Sequence, residues 1–295
     1  METKQERFAI LNGKSGSKNP SDNYILKTYL EGNGIPCEVT DFPGHAKEIA
    51  RERSDVNEII VVGGDGTLHE ILSSLRLPFP KIRLVPAGTG NSLARDLGLG
   101  SWKMSLDKLA WGKELTIDLM ALEIKTEEEL FSCVSASTVC FGFPAKVTQM
   151  ANRSFKRFRK FCYPVAAALG SFLNTRESYL ISYDQFSEKR KSLSGGIINN
   201  SKHVANFAAF PNADLTDGKF DVAELDAGYV KQSIHNLSIL SKTYFYDPPN
   251  RLKAVSSFVK YENPGLLMVD GEVYENVMEF SVKILPRALR VLSLG

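Results

Sequence analysis

The sequence predicts an α/β N-terminal domain with a parallel sheet, followed by a mainly antiparallel β C-terminal domain. Up to about Thr116, short apolar runs alternate with helical patterns, which is typical of a parallel sheet whose strands are joined by helices. Beyond that point the runs alternate apolar and polar residues, as strands of antiparallel sheets do. We therefore assign residues 1–117 to the first domain and 118–295 to the second, with residues 287–294 able to pack back on the first.

The predicted elements place four loops at one edge of the first sheet. Strands are expected at residues 8–11, 37–40, 58–62 and 82–85, with helices at about 22–31, 45–52 and 68–75. In the second domain, strands are expected at residues 119–124, 131–139, 179–183, 204–210 and 220–225. Ligands of parallel sheets bind beyond the carboxyl ends of the strands. The loops that fall there are residues 12–16, Thr40, residues 63–67 and residues 88–91, so they should converge on one crevice.

A glycine-rich turn after the third strand carries the strongest functional signal. It reads Gly63-Gly64-Asp65-Gly66-Thr67 and leads into a helical pattern. Glycines allow the backbone to approach a triphosphate, the helix start directs N–H groups at the anion, and the aspartate can hold magnesium. A single turn of this kind is as easily a plain strand-to-helix connection. A second one, Pro86 to Asn91, follows twenty residues later, and the pair predicts a site for ATP phosphates.

Other nucleotide motifs and other classes of protein fit less well. Neither turn matches Gly-x-Gly-x-x-Gly, and Gly13-Lys14-Ser15 lacks the upstream glycine of a Walker loop, since Phe8 stands there. Composition is that of a soluble globular protein, with 43% hydrophobic and 24% charged residues. The N-terminus carries acids and precedes only a short apolar run, which argues against a secretory signal. No apolar stretch is long enough to cross a bilayer, and the four cysteines lack metal or disulfide spacing. We expect a cytoplasmic protein.

The order of the motifs along the chain resembles the diacylglycerol kinase catalytic family of lipid kinases, which includes the sphingosine kinases. The matching segments are Asn12 to Gly16, Thr40 with Pro43 to Ala46, Gly63 to Thr67, Pro86 to Asn91, Pro211 to Gly218, and Val269 to Glu272. Two segments depart from the family pattern: Ser92-Leu93 replaces the Asp-Phe of many bacterial members, and His203-Val204 stands where a glycine run is frequent. The departures affect the identity of the acceptor more than the reaction.

The resemblance implies an ATP- and Mg²⁺-dependent kinase that phosphorylates a hydroxyl of a diacylglycerol-like or sphingoid lipid. The first domain would bind the nucleotide and the second the lipid. The expected nucleotide-binding residues are Asn12, Ser15, Gly16, Thr40, Gly63, Gly64, Asp65, Gly66, Thr67, Leu68, His69, Gly88, Thr89 and Asn91. Asp65 would also bind catalytic magnesium.

Two acidic motifs of the second half receive roles from the same resemblance. The proton acceptor is expected in Asp270-Gly271-Glu272, where we favour Glu272 narrowly over Asp270. Asp214, Asp217 and the carbonyl of Lys219 are expected to hold a structural magnesium ion. Alternatively, the chain is a soluble-substrate kinase of the NAD kinase type, because such kinases share the Gly-Gly-Asp-Gly turn. A nucleotide-binding regulatory protein without turnover is a third reading, against which the retention of all three catalytic carboxylates argues.

A basic segment suggests how the protein reaches a lipid. No Asp or Glu occurs from Leu130 to Arg176, and the stretch Arg153 to Lys160 places phenylalanines three residues apart among cations. This pattern is typical of an amphipathic helix on anionic lipid, although a solvated helix with its phenylalanines in the core fits equally well. The first reading predicts peripheral membrane association. No nucleic-acid-binding module is recognisable, and a homodimer is left open.

Overall fold

The computed structural model describes residues 6–14, 20–107, 112–155, 176–184, 187–204, 207–225 and 251–294. Its N-terminal part is the predicted α/β unit. The elements in chain order are β1 Arg7–Asn12, α1 Pro20–Gly32, β2 Cys37–Thr40, α2 His45–Glu52, β3 Glu58–Gly63, α3 Asp65–Ser74, β4 Lys81–Pro86, α4 Ser92–Asp96 and α5 Trp102–Asp107.

The first four strands are parallel and lie in the order β2, β1, β3, β4. The central strand β3 is buried along its whole length, which explains its nearly continuous apolar sequence. Helices cover both faces of the sheet, and each face packs with its helices in a separate apolar core. All four carboxyl ends therefore lie along one edge, as the alternation of elements predicted.

The C-terminal part is mainly antiparallel. Its elements are β5 Lys113–Thr126, β6 Leu130–Ser135, β7 Thr138–Gly142, α6 Phe143–Met150, a π-helical turn Ala151–Phe155, β8 Glu177–Tyr183, β9 Lys189–Leu193, β10 Gly195–Asn199, β11 Phe220–Leu225, β12 Arg251–Ala254, β13 Ser256–Val269 and β14 Glu272–Ser293. Strands β7, β10, β11, β12 and β13 pair antiparallel around a core rich in aromatic residues.

Strand β14 joins the two parts. It pairs antiparallel with β13 and β5 along most of its length, and near its end Val291 lies opposite Ile82 of β4 in parallel. The last residues thus add to the N-terminal sheet. Strand β13 turns into β14 at Asp270 and Gly271, so the hairpin that carries the Asp-Gly-Glu motif belongs to the strand that connects both sheets.

Two predicted strands differ in the structure. The strand expected at residues 131–139 is broken into β6 and β7, because the N–H groups of Ala136 and Ser137 bind the carboxylate of Asp270 and not a neighbouring strand. Within 204–210, the described residues form only an isolated bridge between Val204 and Phe207. Within the described ranges, no helix is both long and apolar enough to span a bilayer.

Candidate active site

The two glycine turns contact each other through their backbones. A Cβ atom added to Gly88 would lie 2.5 Å from the Cα of Gly64, so a side chain at this position would collide with the first turn. Asn91 fixes the second turn: its Oδ1 accepts the N–H of Gly88 at 3.0 Å and its Nδ2 donates to the carbonyl of Gly88 at 2.8 Å. It adopts the left-handed conformation with φ 56°, which asparagine tolerates well. The two turns are therefore packed directly against each other.

Helix α3 begins inside the first turn. Gly64 is its N-cap, and Leu68 donates its N–H to the Gly64 carbonyl at 3.1 Å. The N–H groups of the residues between them have no acceptor within the helix, and with the helix dipole they favour an anion. Gly63 must be glycine, because a Cβ there would lie 2.6 Å from Oγ1 of Thr67. The helix start thus has the geometry of a phosphate site, whereas the side chain of Leu68 is in the core.

Polar side chains from β1 and β2 border this helix start. Asn12 donates through Nδ2 to Oγ1 of Thr67 at 2.7 Å, and the N–H of Gly13 donates to Oγ1 of Thr40 at 3.2 Å. The structure therefore gathers these predicted nucleotide-binding residues beside α3. Thr89 lies in the second turn, and no contact with another described residue assigns it a role. Ser15 and Gly16 lie outside the described residues.

Asp65 opens α3, and its carboxylate points to the next helix. Its Oδ2 accepts the backbone N–H of Ser92 at 2.9 Å and the Ser92 hydroxyl at 3.1 Å. Burial raises the pKa of Asp65 to about 6; the Ser92 hydrogen bonds oppose this rise and the nearby Asp270 carboxylate adds to it. The carboxylate is mostly ionised at neutral pH, and Ser92 fixes its orientation. An ionised, oriented oxygen ligand of this kind fits magnesium.

Asp270 is buried and saturated with hydrogen bonds. Its oxygens accept the hydroxyls of Ser135 and Ser137 at 2.9 and 2.7 Å, and the N–H groups of Ala136, Ser137 and Thr138 at 2.8, 3.1 and 2.9 Å. Because five donors already occupy its oxygens, this buried carboxylate has no free oxygen to turn towards a substrate hydroxyl. The geometry favours an anchoring role for Asp270, which fixes the β13–β14 hairpin to the segment between β6 and β7.

The carboxylate of Glu272 differs from that of Asp270 in both exposure and hydrogen bonding. It is exposed, and within the described residues it makes no hydrogen bond or ion pair. A Cβ placed on Gly66 would lie 3.0 Å from its Oε1, so the carboxylate sits directly over the first turn of α3. Of the two carboxylates in the Asp-Gly-Glu motif, Glu272 is the one that can approach a ligand at the helix start.

The hairpin that carries Glu272 is supported from two sides. On one side Tyr274 contacts His69 of α3, with 2.9 Å between the Tyr274 hydroxyl and Nε2. On the other side Asn152 donates to the Gly271 carbonyl at 3.0 Å, and Gln149 donates to Glu275 at 2.8 Å. None of these supports was predicted from the sequence. The three hydroxyl residues among the four at 135–138, within a predicted strand, were the available signal for the Asp270 anchor.

The two aspartates of the acidic turn Asp214 to Lys219 are occupied by hydrogen bonds within the turn and by an ion pair with Lys253. Asp214 accepts the N–H and hydroxyl of Thr216 at 2.9 and 2.8 Å, which lower its pKa. Asp217 accepts the N–H of Lys219 at 3.0 Å and pairs with the Lys253 ammonium at 2.5 Å. A metal ion at this turn would have to displace Lys253. The described side chains contain no cluster of three or more His, Cys, Asp or Glu residues that could hold a metal.

A buried aspartate that was not singled out in the sequence holds this turn in place. Both oxygens of Asp118 accept backbone N–H groups at 2.7 Å, from Gly218 and from Arg287. Its own N–H donates to the Leu215 carbonyl at 2.7 Å. Asp118 therefore ties the acidic turn to β5 and β14.

Only the start of the predicted lipid-binding segment is described. Arg153 forms an ion pair with Glu275, and Lys146, seven residues earlier, pairs with Glu177 at 2.5 Å. These two cations are therefore partly neutralised. Residues 156–160, with the remaining cations of the segment, lie outside the described residues.

Comparisons with known proteins agree with this architecture. Residues 7–122 match the diacylglycerol kinase catalytic domain, and residues 137–293 match the YegS C-terminal NAD kinase beta sandwich-like domain. Lipid kinase YegS of Escherichia coli (strain K12) is 26% identical, with 95% of this chain and 93% of that protein covered. Probable lipid kinase YegS of Salmonella newport (strain SL254) is also 26% identical, with the same coverage.

Solved structures show the same fold. A diacylglycerol kinase from Bacillus anthracis str. Sterne superposes with a TM-score of 0.74 at 19% identity, covering 99% of this chain and 98% of that chain. An NAD kinase from Archaeoglobus fulgidus in complex with ATP is more distant, with a TM-score of 0.54 at 12% identity and coverage of 98% and 93%. The expected fold class is confirmed.

Proposed function

The chain belongs to the diacylglycerol kinase catalytic-domain family of lipid kinases, and from this membership we propose that it transfers the γ-phosphate of ATP to a hydroxyl of a diacylglycerol-like or sphingoid lipid. The observation that carries the proposal is the position of Glu272. Its carboxylate has no partner among the described residues and lies over the start of α3, where a phosphate would bind.

In this proposal each residue has one task. The two glycine turns, with Asn12, Thr40 and Thr67, hold the phosphates of ATP. Glu272 removes the proton of the lipid hydroxyl as its oxygen bonds to the γ-phosphorus and the bond to the β,γ-bridging oxygen breaks, which releases ADP. Magnesium held by Asp65 would neutralise charge on the phosphates. Alignment of these groups supplies much of the catalysis, because phosphoryl transfer requires positioning more than covalent chemistry.

Anionic lipid is the proposed surface on which the enzyme meets its acceptor. The proposal rests on the cations of residues 153–160, each of which contributes up to about 1 kcal/mol near an anionic membrane. The pairing of Arg153 with Glu275 reduces its share, so the main contribution falls to Lys156, Arg157, Arg159 and Lys160. Binding to phosphatidylserine vesicles should weaken as salt is added, because the attraction is screened.

Mass spectrometry of reaction products tests the proposal. The purified protein is incubated with γ-labelled ATP, Mg²⁺ and a mixed lipid extract in vesicles, with NAD supplied in a parallel reaction. Label in a lipid phosphate is the expected result, and Glu272→Gln should not produce it. Label in NADP alone would favour the NAD kinase type, and no labelled product from either acceptor would favour a regulatory protein.

A further inference from the structure

His69 and Tyr274 form a buried bridge between the phosphate-binding helix and the strand that carries Glu272. Nδ1 of His69 lies 2.9 Å from the carbonyl oxygen of Val134, which can only accept, so Nδ1 carries the proton. In the neutral ring Nε2 is then an acceptor, and the Tyr274 hydroxyl donates to it at 2.9 Å. Burial raises the pKa of Tyr274, which keeps this hydroxyl protonated. Tyr274 of β14 therefore donates to His69 of α3, and His69 donates to the Val134 carbonyl of β6.

The bridge runs beside the contact between Gly66 and Glu272. Tyr274 follows Glu272 by two residues in an extended strand, so both side chains point to the same side. His69 follows Gly66 by three residues, so both lie on one side of α3. Gly66 has no side chain with which to hold the carboxylate. Among the described residues, the hydrogen bond between Tyr274 and His69 ties this part of β14 to α3, and Nδ1 of His69 also lies 4.0 Å from Oδ2 of Asp270.

We propose that His69 and Tyr274 are positioning residues, which set the distance between the Glu272 carboxylate and the phosphate-binding start of α3. This inference rests on the proposed function, in which Glu272 is the proton acceptor. Without the Tyr274 hydroxyl, the ring would remain packed against Phe131, whose centroid lies 5.3 Å away, but the hydrogen bond from the strand to His69 would be lost. Glu272 would then sample positions farther from the acceptor hydroxyl.

Kinetics of Tyr274→Phe test the proposal with a matched control. We expect kcat with ATP and a short-chain diacylglycerol to fall about tenfold to a hundredfold, because a misplacement of roughly 1 Å can cost that much, while KM for ATP stays within about twofold. Tyr261→Phe is the control, because it also removes a tyrosine hydroxyl. That hydroxyl donates to the Leu266 carbonyl at 2.8 Å, and the Tyr261 ring lies in the aromatic-rich core of the C-terminal part. At position 69, His69→Gln keeps an acceptor for Tyr274 and should retain more kcat than His69→Leu.

Nitrogen-15 NMR of the His69 imidazole provides a readout that is independent of turnover. We expect a proton on Nδ1 and a hydrogen-bonded lone pair on Nε2, whose shift changes in Tyr274→Phe and not in Tyr261→Phe. An Nε2 shift that Tyr274→Phe leaves unchanged, or equal kcat in the two tyrosine variants, would overturn the positioning role while leaving the proposed function intact. A wild-type protein that phosphorylates no lipid would instead overturn the proposed function, and the positioning role with it.

Discussion

Ser92 holds the carboxylate of Asp65 through two hydrogen bonds, from its backbone N–H at 2.9 Å and from its hydroxyl at 3.1 Å. Asp65 belongs to the first glycine turn and Ser92 opens the helix that follows the second, so a charge-assisted pair of bonds joins the starts of α3 and α4. Ser92 is also one of the departures from the family pattern. Its hydrogen bonds stabilise the ionised form of Asp65, whose pKa burial raises to about 6.

The pH dependence of turnover should follow this pair. In the proposed function Asp65 holds magnesium as a carboxylate, so kcat/KM for ATP should fall as the pH decreases through about 6. Ser92→Ala removes the hydroxyl that lowers the Asp65 pKa, so its acid limb should move to higher pH. Ser74→Ala removes a hydroxyl that bonds only within α3, to Ile71, and should leave the profile unchanged. Identical acid limbs in wild type and Ser92→Ala would contradict the assignment.

Asp65→Asn should separate stability from activity. The pKa of Asp65 in the folded protein is about 6, above its usual 3.8, so the charge destabilises the fold at pH above 6 and costs nothing below 3.8. The amide should therefore raise Tm by a few degrees at pH 8, equivalent to on the order of 1 kcal/mol for this partly exposed group, and by almost nothing at pH 3.5. Turnover should fall at least about a hundredfold. Differential scanning calorimetry at both pH values checks the first part, and an unchanged or lowered Tm at pH 8 would refute it.

Asp270→Asn should damage the fold. An amide nitrogen cannot accept any of the hydrogen bonds that the segment from Ser135 to Thr138 donates, and buried donors without an acceptor cost about 1–3 kcal/mol each. We expect the free energy of unfolding to drop by about 2–4 kcal/mol in urea denaturation. Glu272→Gln, two residues away and exposed, should unfold like the wild type. Equal stability of the two variants would mean that Asp270 is not an anchor.

The acidic turn offers a test of the magnesium site predicted at Asp214, Asp217 and the Lys219 carbonyl. Because Lys253 pairs with Asp217, magnesium has to compete with an ammonium group. If the prediction holds, millimolar Mg²⁺ should raise Tm, Lys253→Gln should enlarge the rise by removing the competitor, and Asp217→Ala should abolish it. If Tm were indifferent to Mg²⁺ and chelator in both wild type and Lys253→Gln, the turn would be held by the ion pair alone.

The glycine turns could be predicted because their requirement is local. Gly63, Gly88 and Asn91 each occupy a position where the backbone or its closest neighbours admit few other residues, and that restriction is visible in the sequence itself. The alternation of strands and helices then placed both turns at one edge of a parallel sheet, since that edge follows from chain direction alone.

The different roles of Asp270 and Glu272 within the Asp-Gly-Glu motif could not be predicted in the same way. The donors that saturate Asp270 lie more than 130 residues earlier in the chain, and His69 lies 205 residues before Tyr274. Such contacts depend on how β14 joins the two sheets, which no local pattern shows. For the same reason the interruption of the strand at Ala136 and Ser137 was missed, because its cause is a carboxylate on another strand.

The central claim is that Glu272 is the proton acceptor of an ATP-dependent lipid kinase. The most direct measurement compares single-turnover rates of wild type, Glu272→Gln and Glu262→Gln with ATP, Mg²⁺ and a short-chain diacylglycerol. Glu262 is also an exposed glutamate, but it pairs with Arg190 on β9, away from the glycine turns. We predict that Glu272→Gln loses at least about a hundredfold in rate while it binds ATP and unfolds like the wild type, and that Glu262→Gln is unaffected. Phosphoryl transfer by Glu272→Gln at the rate of Glu262→Gln would contradict the account.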